Sequence, residues 1–189
     1  GSFRSDGVGV LKGKKGSNYE GGLRVPGIFC WPSKIRSGIQ IEEPAGLVDL
    51  MATICDFVGY KMPEEIHLDG SSLQPLLTGS PQNFKRLQPF FWHFAESKQI
   101  VGIRDGNYSL LAYPDYEFSK GEKFNEAWIP TIKEGGYRDF ELYDLVNDPM
   151  QEDDLAKQRP ELLLSLKNKL LKINASVMAE GSDWHLDSQ

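Results

Sequence analysis

The segment from Lys15 to Pro26, with the sequence KGSNYEGGLRVP, constrains this chain more than any other stretch. Its three glycines within seven positions indicate a backbone that needs positive φ angles or close approach to a neighbour. Glu20 and Arg24 stand four residues apart around the Gly-Gly corner and are expected to form a structural pair. Lys12 and Lys14, just before, are expected to be solvated. The residues alone leave two interpretations open: a loop that presents its lysine for chemistry, or a glycine-rich turn before a core strand.

The first third of the chain predicts a strand followed by a helix. Val25 to Trp31 is a short apolar run that predicts a strand buried on both faces, and Ile39 to Ile41 predicts a short edge strand. Pro44 to Tyr60 has the apolar spacing of an amphipathic helix, with Gly59 suited to its C-terminal cap. A strand followed by such a helix is typical of an α/β layer.

Beyond Phe84 the apolar period changes from that of a helix to that of a strand. The segments that predict strands are Pro89 to Phe94, Gln99 to Arg104, Tyr108 to Tyr113 and Asp139 to Leu145. The residues Asp105-Gly106-Asn107 are a strong hairpin signal between the second and third of these strands. Pro160 to Ile173 predicts a helix across one face of the resulting antiparallel sheet, and residues 174–189 are predicted to be irregular.

Composition argues against several partners. The net charge is −6, and the chain has no basic tract, so nucleic acid and anionic membrane surfaces are poor candidates. No apolar run approaches the ~18–20 residues that a membrane span requires. Cys30 and Cys55 both lie in apolar surroundings and are predicted to be buried free thiols rather than a disulfide.

A family resemblance follows from these motifs. The segment from Lys15 to Pro26, followed by Trp31-Pro32, resembles the late signature of the type I sulfatases. These are formylglycine-dependent sulfuric ester hydrolases of the alkaline phosphatase superfamily. Three further runs resemble sulfatase elements and extend the likeness to about residue 173: DGSSLQPLLTG at 69–79, RDGNYSLL at 104–111 and ELYDLVNDP at 141–149.

The resemblance implies an α/β fold, α+β overall. Residues 1–80 would be the C-terminal end of an alkaline-phosphatase-like α/β catalytic domain. Residues 81–189 would be a small subdomain with an antiparallel sheet packed against a C-terminal helix. The family's metal-binding Asp-Asn or Asp-His pair would end just before Gly1. The missing N-terminal part of the catalytic domain is therefore an expected partner, within a parent enzyme that is exported to the periplasm, the lysosome or the medium.

The resemblance also assigns site residues. Lys15 matches the late lysine that contacts the sulfate and the hydroxyl of the nucleophile, which makes it the catalytic candidate. Trp92-His93 matches a pair that reaches the substrate pocket in some sulfatases, so His93 is a substrate-binding candidate; a strand histidine bonded to the backbone remains the alternative. The chain has no Cys-x-Pro-x-Arg motif, and the run from Cys30 to Lys34 echoes it only superficially. The calcium ion and the formylglycine are therefore expected in the parent enzyme, with neither ligated by this chain.

The implied function is hydrolysis of sulfate esters on sulfated small molecules or glycans. This chain would supply one sulfate-binding lysine and part of the substrate pocket, and would be inactive alone. Two alternatives stay open. One is a related hydrolase of phosphate or phosphonate esters, because Lys15 would serve either anion. The other is a non-catalytic carbohydrate-binding or interaction module, in which Lys15 would have no role.

Overall fold

The computed structural model describes residues 9–118 and 125–181 of the 189-residue chain. The helices are α1 (Glu20–Leu23), α2 (Asp49–Val58), α3 (Gln74–Leu77), α4 (Ile129–Glu134) and α5 (Pro160–Glu180), with 3₁₀ turns at Pro81–Asn83 and Glu126–Trp128. The strands are β1 (Phe90–His93), β2 (Val101–Asp105), β3 (Tyr108–Pro114) and β4 (Tyr137–Asp144). This mixture of helices with a small sheet and a long C-terminal helix confirms the predicted fold class.

Contacts along the chain define two compact units. The first combines the segment up to Arg24 with everything from Phe91 onward, and the second is Val25–Phe90. The predicted domain division at residue 80 stays a prediction. No helix in the described ranges is both long and apolar enough to cross a membrane.

The sheet of the first unit is a meander in the order β1-β2-β3-β4. β2 and β3 pair antiparallel, with Asp105 opposite Tyr108, and β4 pairs antiparallel with β3. The turn between β2 and β3 therefore holds two residues, and Gly106 adopts the left-handed φ of 57° that such a turn requires. The hairpin and the four predicted strands are confirmed, with boundaries shifted by one or two residues.

One face of this sheet packs against α5. Ile103, Leu110 and Leu142 are buried in one cluster with Leu166 and Leu170 of the helix, as the apolar stripe predicts. The helix continues to Glu180, so the prediction that the chain is irregular from residue 174 was wrong for 174–180. Part of the reason is a tertiary contact, because Tyr137 OH donates a hydrogen bond of 2.8 Å to Asn174 Oδ1. The prediction for 182–189 lies outside the described residues.

The opposite face of the sheet is covered by residues 12–22, which we call the lysine loop. Tyr19 of this loop packs against the buried side chains of Leu111, Tyr143 and Leu145. The period-2 alternation of a strand explains the division, since Leu110 points to α5 and Leu111 points to the lysine loop. The first unit thus has three layers: α5, the sheet and the lysine loop.

The second unit corrects two predictions. Val25 to Trp31 forms no strand and its side chains are exposed, with Ile28 at 92% of its maximum accessible area. Ile39 to Ile41 forms no strand either. Cys30 is consequently exposed rather than a core thiol, whereas Cys55 is buried and free as predicted. An apolar run of this kind forms a buried strand only where it can pair with other strands, and the described residues of this unit contain no sheet for it to join.

Helix α2 is shorter than predicted, and the face that it buries is not the predicted apolar one. It ends at Gly59, which caps it in the left-handed conformation as predicted. Its polar residues Asp49 and Thr53 are buried, while three of its apolar side chains are exposed: Met51, Ile54 and Val58. Asp49 accepts two hydrogen bonds from the Arg86 guanidinium, at 3.0 and 3.1 Å, and one each from two backbone N–H groups. This fully bonded carboxylate stabilises the inward orientation.

Candidate functional site

Lys15 lies at the tip of a tight turn in the lysine loop. The turn is closed by Ser17 N donating to Lys14 O at 3.0 Å, and the Ser17 hydroxyl donates to the same oxygen at 2.9 Å. Gly16 has a φ of 92°, a conformation that glycine adopts without a steric cost. The geometry therefore presents Lys15 as an exposed residue on a backbone that is fixed around it.

The two glycines of α1 allow the loop to fold back on itself. Gly21 N donates a hydrogen bond of 2.8 Å to Lys12 O, and a Cβ on Gly21 would lie 2.6 Å from that oxygen. A Cβ on Gly22 would lie 2.1 Å from Ser17 O. Both distances are far below van der Waals contact, so the predicted close approach is confirmed for this pair of glycines.

Glu20 braces the loop from below. Its carboxylate is buried and lies 3.1 Å from Arg104 Nη1 and 3.7 Å from Arg24 Nε. The predicted pair with Arg24 is confirmed, although the closer partner is Arg104 on β2. Burial raises the pKa of Glu20 above its ordinary value, and the two guanidinium groups partly oppose that shift.

Lys12 was predicted to be solvated, but its ammonium is hydrogen-bonded within the protein. Its ammonium donates hydrogen bonds to Gln151 O at 2.8 Å and to Tyr143 OH at 3.2 Å. It also lies 4.6 Å from the centre of the Tyr19 ring, within range of a cation–π interaction. Lys12 therefore ties the start of the lysine loop to the segment that follows β4.

Three more contacts fix the middle of the loop. Asn18 is buried and its amide donates to Gln99 O at 2.7 Å. The hydroxyl of Tyr19 donates to Glu141 on β4 at 2.7 Å, and Glu20 N donates to the buried side chain of Gln151 at 2.8 Å. These partners lie 81, 122 and 131 residues away along the chain, which is why no local sequence pattern predicts them.

A surface pocket of about 240 Å³ lies beside the turn that carries Lys15. Its lining combines the lysine loop with the end of β1: Gly16, Ser17, Asn18, Gly22, Leu23, Trp92, His93 and Phe94. Gly16 follows Lys15 directly and lies near the Phe94 ring, since a Cβ added to Gly16 would be 3.7 Å from Phe94 Cε1. The structure thus brings the loop of the first candidate residue and the second candidate, His93, to one pocket.

His93 is half-buried in the wall of this pocket. Burial lowers the pKa of His93 below the ordinary value, so the imidazole is neutral at pH 7. Its Nε2 is buried and has no hydrogen-bond partner among the described residues. His93 therefore contributes an uncharged side chain to the wall of the pocket.

The sequence of the pocket region matches a family of known proteins. Residues 14–125 match the model of the family described as N-sulphoglucosamine sulphohydrolase, C-terminal. The match begins at the lysine loop and covers more than half of the chain. This chain belongs to the sulfatases.

The likeness extends to individual sulfatases. Human arylsulfatase D is 41% identical over 154 residues, which cover 76% of this chain and 26% of that protein. The sulfatase chain described here therefore spans about a quarter of the length of that relative. The resemblance to the C-terminal part of a sulfatase of the alkaline phosphatase superfamily is therefore confirmed.

Solved structures agree with this assignment. A structure described with glycosaminoglycan metabolism in Bacteroides thetaiotaomicron has a TM-score of 0.62 and 23% identity, and covers 88% of this chain and 32% of that one. Ps i-CgsB, solved in complex with k-i-k-neocarrahexaose, has a TM-score of 0.61 and 25% identity, and covers 87% and 32% of the two chains. The first comparison shows a shared fold, and the second adds a relative with a bound oligosaccharide.

Sulfatases generally use a formylglycine nucleophile and a calcium ion. Across residues 9–118 and 125–181, no cluster of three or more His, Cys, Asp or Glu side chains could hold a metal ion. Cys30 lies on the exposed segment after the loop and is followed by no Pro-x-Arg in the required register. These residues of the sulfatase chain therefore do not fit either group, and no chemical step can be assigned to them through calcium or formylglycine.

Proposed function

We propose that this chain is part of an enzyme that hydrolyses sulfate esters, in which Lys15 contacts the sulfate group. The observation that carries the proposal is the fixed turn that holds Lys15 beside a pocket. An ammonium on a flexible stem suits a point contact with an anionic oxygen. From this turn the ammonium can stabilise charge that develops on the sulfate oxygens in the transition state.

His93 is the proposed substrate contact in the same pocket. The support is its place in the pocket wall, where it is an uncharged imidazole at pH 7. Trp92 lies beside it in the wall and offers an aromatic surface to a sugar ring. Sulfated glycans are the substrate class that we infer. The support comes from the sulphoglucosamine in the name of the matching family and from the oligosaccharide bound to Ps i-CgsB.

The proposed partner is an N-terminal part of the catalytic domain, which would hold the calcium ion and the formylglycine. The second unit supports this partner because it exposes an apolar surface: Ile28, Phe29 and Trp31 from the segment after the loop, and Met51, Ile54 and Val58 from α2. Exposed apolar surface of this extent indicates an interface. We also propose that the whole enzyme is exported.

The coding sequence upstream of Gly1 tests the partner. We expect a Cys/Ser-x-Pro/Ala-x-Arg motif, an export signal, and an Asp-Asn or Asp-His pair next to Gly1. A reading frame that starts near Gly1 without a nucleophile motif would contradict the proposal and favour the interaction module.

The role of Lys15 is tested in the complete enzyme with an aryl sulfate as substrate and calcium present. Lys15→Ala is expected to lower kcat about 10²- to 10³-fold, the usual effect of removing one group that stabilises transition-state charge. Lys14→Ala is the matched control, because it removes a neighbouring exposed lysine from the same turn. Equal effects of the two substitutions would refute a specific role for Lys15. Faster turnover of a phosphate or phosphonate ester than of the sulfate would favour the alternative hydrolase.

A further inference from the structure

Three tyrosine hydroxyls converge on the carboxylate of Glu141. Tyr19 OH lies 2.7 Å from Oε2, Tyr113 OH lies 2.7 Å from Oε1, and Tyr143 OH lies 3.1 Å from Oε2. Tyr113 and Tyr143 belong to β3 and β4, but Tyr19 belongs to the lysine loop. The carboxylate therefore joins the loop to the sheet beneath it.

The direction of these hydrogen bonds is determined by their outer partners. Gln99 Nε2 donates to Tyr19 OH at 2.5 Å and to Tyr113 OH at 2.7 Å, and Lys12 Nζ donates to the third hydroxyl at 3.2 Å. An amide nitrogen and an ammonium can only donate. Each hydroxyl must then direct its own proton toward Glu141, which accepts all three. A glutamate side chain offers two acceptor oxygens to these three donors, whereas glutamine would present one oxygen and one donor nitrogen.

The hydroxyls remain protonated as this network requires. Burial is the largest cause that raises the pKa of Tyr19 well above its ordinary value, and the hydrogen bond to Glu141 raises it further. Burial also raises the pKa of Tyr113 and of Tyr143, and the neighbouring carboxylate adds to both shifts.

We propose that Glu141 is a positioning residue for sulfate ester hydrolysis, because it holds Tyr19 and thereby the turn that carries Lys15. The inference rests on the proposed function of Lys15. Tyr19 follows Lys15 by four residues, and Asn18 between them is bonded to Gln99 O. Glu141 and Gln99 thus hold two consecutive residues of the loop from the sheet side. Glu141 acts on Lys15 through Tyr19 and the backbone of the loop.

Two matched substitutions test this inference in the complete enzyme. Tyr19→Phe and Tyr113→Phe each remove one hydroxyl with the same two partners, Gln99 and Glu141. Only Tyr19→Phe detaches the loop. Amide hydrogen exchange at residues 14–18 is expected to become about 2- to 12-fold faster in Tyr19→Phe, the equivalent of one lost hydrogen bond. Its kcat is expected to fall about tenfold, since small displacements of a catalytic group are costly. Tyr113→Phe should leave both quantities at the wild-type level.

Equal loop exchange in the two variants, or unchanged loop exchange in Tyr19→Phe, would overturn the inference. Glu141→Gln, which puts a donor where the hydroxyls need an acceptor, is expected to exceed the effect of Tyr19→Phe on both measurements. If Glu141→Gln does not fold, the comparison of Tyr19→Phe with Tyr113→Phe still tests the inference. If the wild-type enzyme hydrolyses no sulfate ester, the proposed function fails, while the exchange measurement still tests whether Glu141 anchors the loop.

Discussion

Replacing Gly22 with alanine would test whether the lysine loop has to be compact. The new Cβ would lie 2.1 Å from Ser17 O and 2.7 Å from Lys14 O, whereas ordinary contact begins at 3.4 Å. One side has to move by the difference, 3.4 − 2.1, or about 1.3 Å. Both oxygens belong to the turn that carries Lys15, so the displacement reaches that residue. Overpacking of this kind costs about 1–3 kcal/mol of stability, and a misplacement of about 1 Å costs about 10²-fold in rate.

Intrinsic propensity works in the other direction and makes the test sharp. Gly22 lies in α1, where alanine is favoured over glycine by about 1 kcal/mol, so a loss of stability has to be steric. Gly27→Ala is the control, because no atom lies within 4 Å of a Cβ at this exposed position. Urea unfolding and turnover of an aryl sulfate would be measured for both variants. If Gly22→Ala unfolds and turns over like Gly27→Ala, the argument from close approach is refuted.

Two further predictions concern buried charge and protonation. Asp49→Ala leaves the guanidinium of Arg86 without its carboxylate and should cost about 3–5 kcal/mol in urea unfolding; adding Arg86→Met should recover part of the loss, and a cost below about 1 kcal/mol for Asp49→Ala would contradict the description of this pair. Burial lowers the pKa of His93 below the ordinary 6.5, so at acidic pH the folded state binds fewer protons than the unfolded state. The contribution of His93 to stability is therefore complete above pH 6.5 and is lost as the pH falls from there through the folded pKa. Relative to His93→Gln, the wild type should therefore lose stability between pH 7 and 5. Parallel curves of stability against pH for the two proteins would contradict this description of the imidazole environment.

The second half of the fold could be predicted from the sequence because its signals are local. The Asp105-Gly106-Asn107 turn specifies a hairpin within a few residues, and the apolar stripe of α5 identifies the face that packs on the sheet. The end of α5 was predicted too early. The helix continues where Tyr137 bonds Asn174, a contact that a periodicity count does not contain.

The first half of the fold was predicted poorly, because an apolar pattern indicates that side chains are buried but does not identify the surface that buries them. Val25 to Trp31 and the stripe of α2 have the expected composition, but several of their side chains are exposed, including Ile28, Met51 and Ile54. The burial of Asp49 follows from Arg86, which lies 37 residues further along the chain. A local pattern therefore assigned the helix correctly and its buried face incorrectly.

In the candidate site, too, the features with local sequence signals were predicted and those that depend on distant contacts were missed. The Lys15 segment and the Trp92-His93 pair stand out in the sequence, and the structure brings the lysine loop and His93 to one pocket. Whether these residues contact a substrate stays a prediction. The roles of Lys12, Gln99 and Glu141 were missed because the hydrogen bonds by which they anchor the lysine loop span 80 to 139 residues, beyond the range of any motif.

The anchoring of the lysine loop has a consequence for synthesis on the ribosome. Glu20 N and Lys12 Nζ bind atoms of Gln151, which lies 131 and 139 residues later in the chain. At about 5–20 residues per second, these 131 residues take roughly 7 to 26 s to emerge. Until Gln151 has emerged, the loop lacks these two contacts, and closure over so long a separation is intrinsically slow. The last contacts of the lysine loop would therefore form late in translation, and a premature stop just before Gln151 would leave the lysine segment complete in sequence but without its bonds to Gln151.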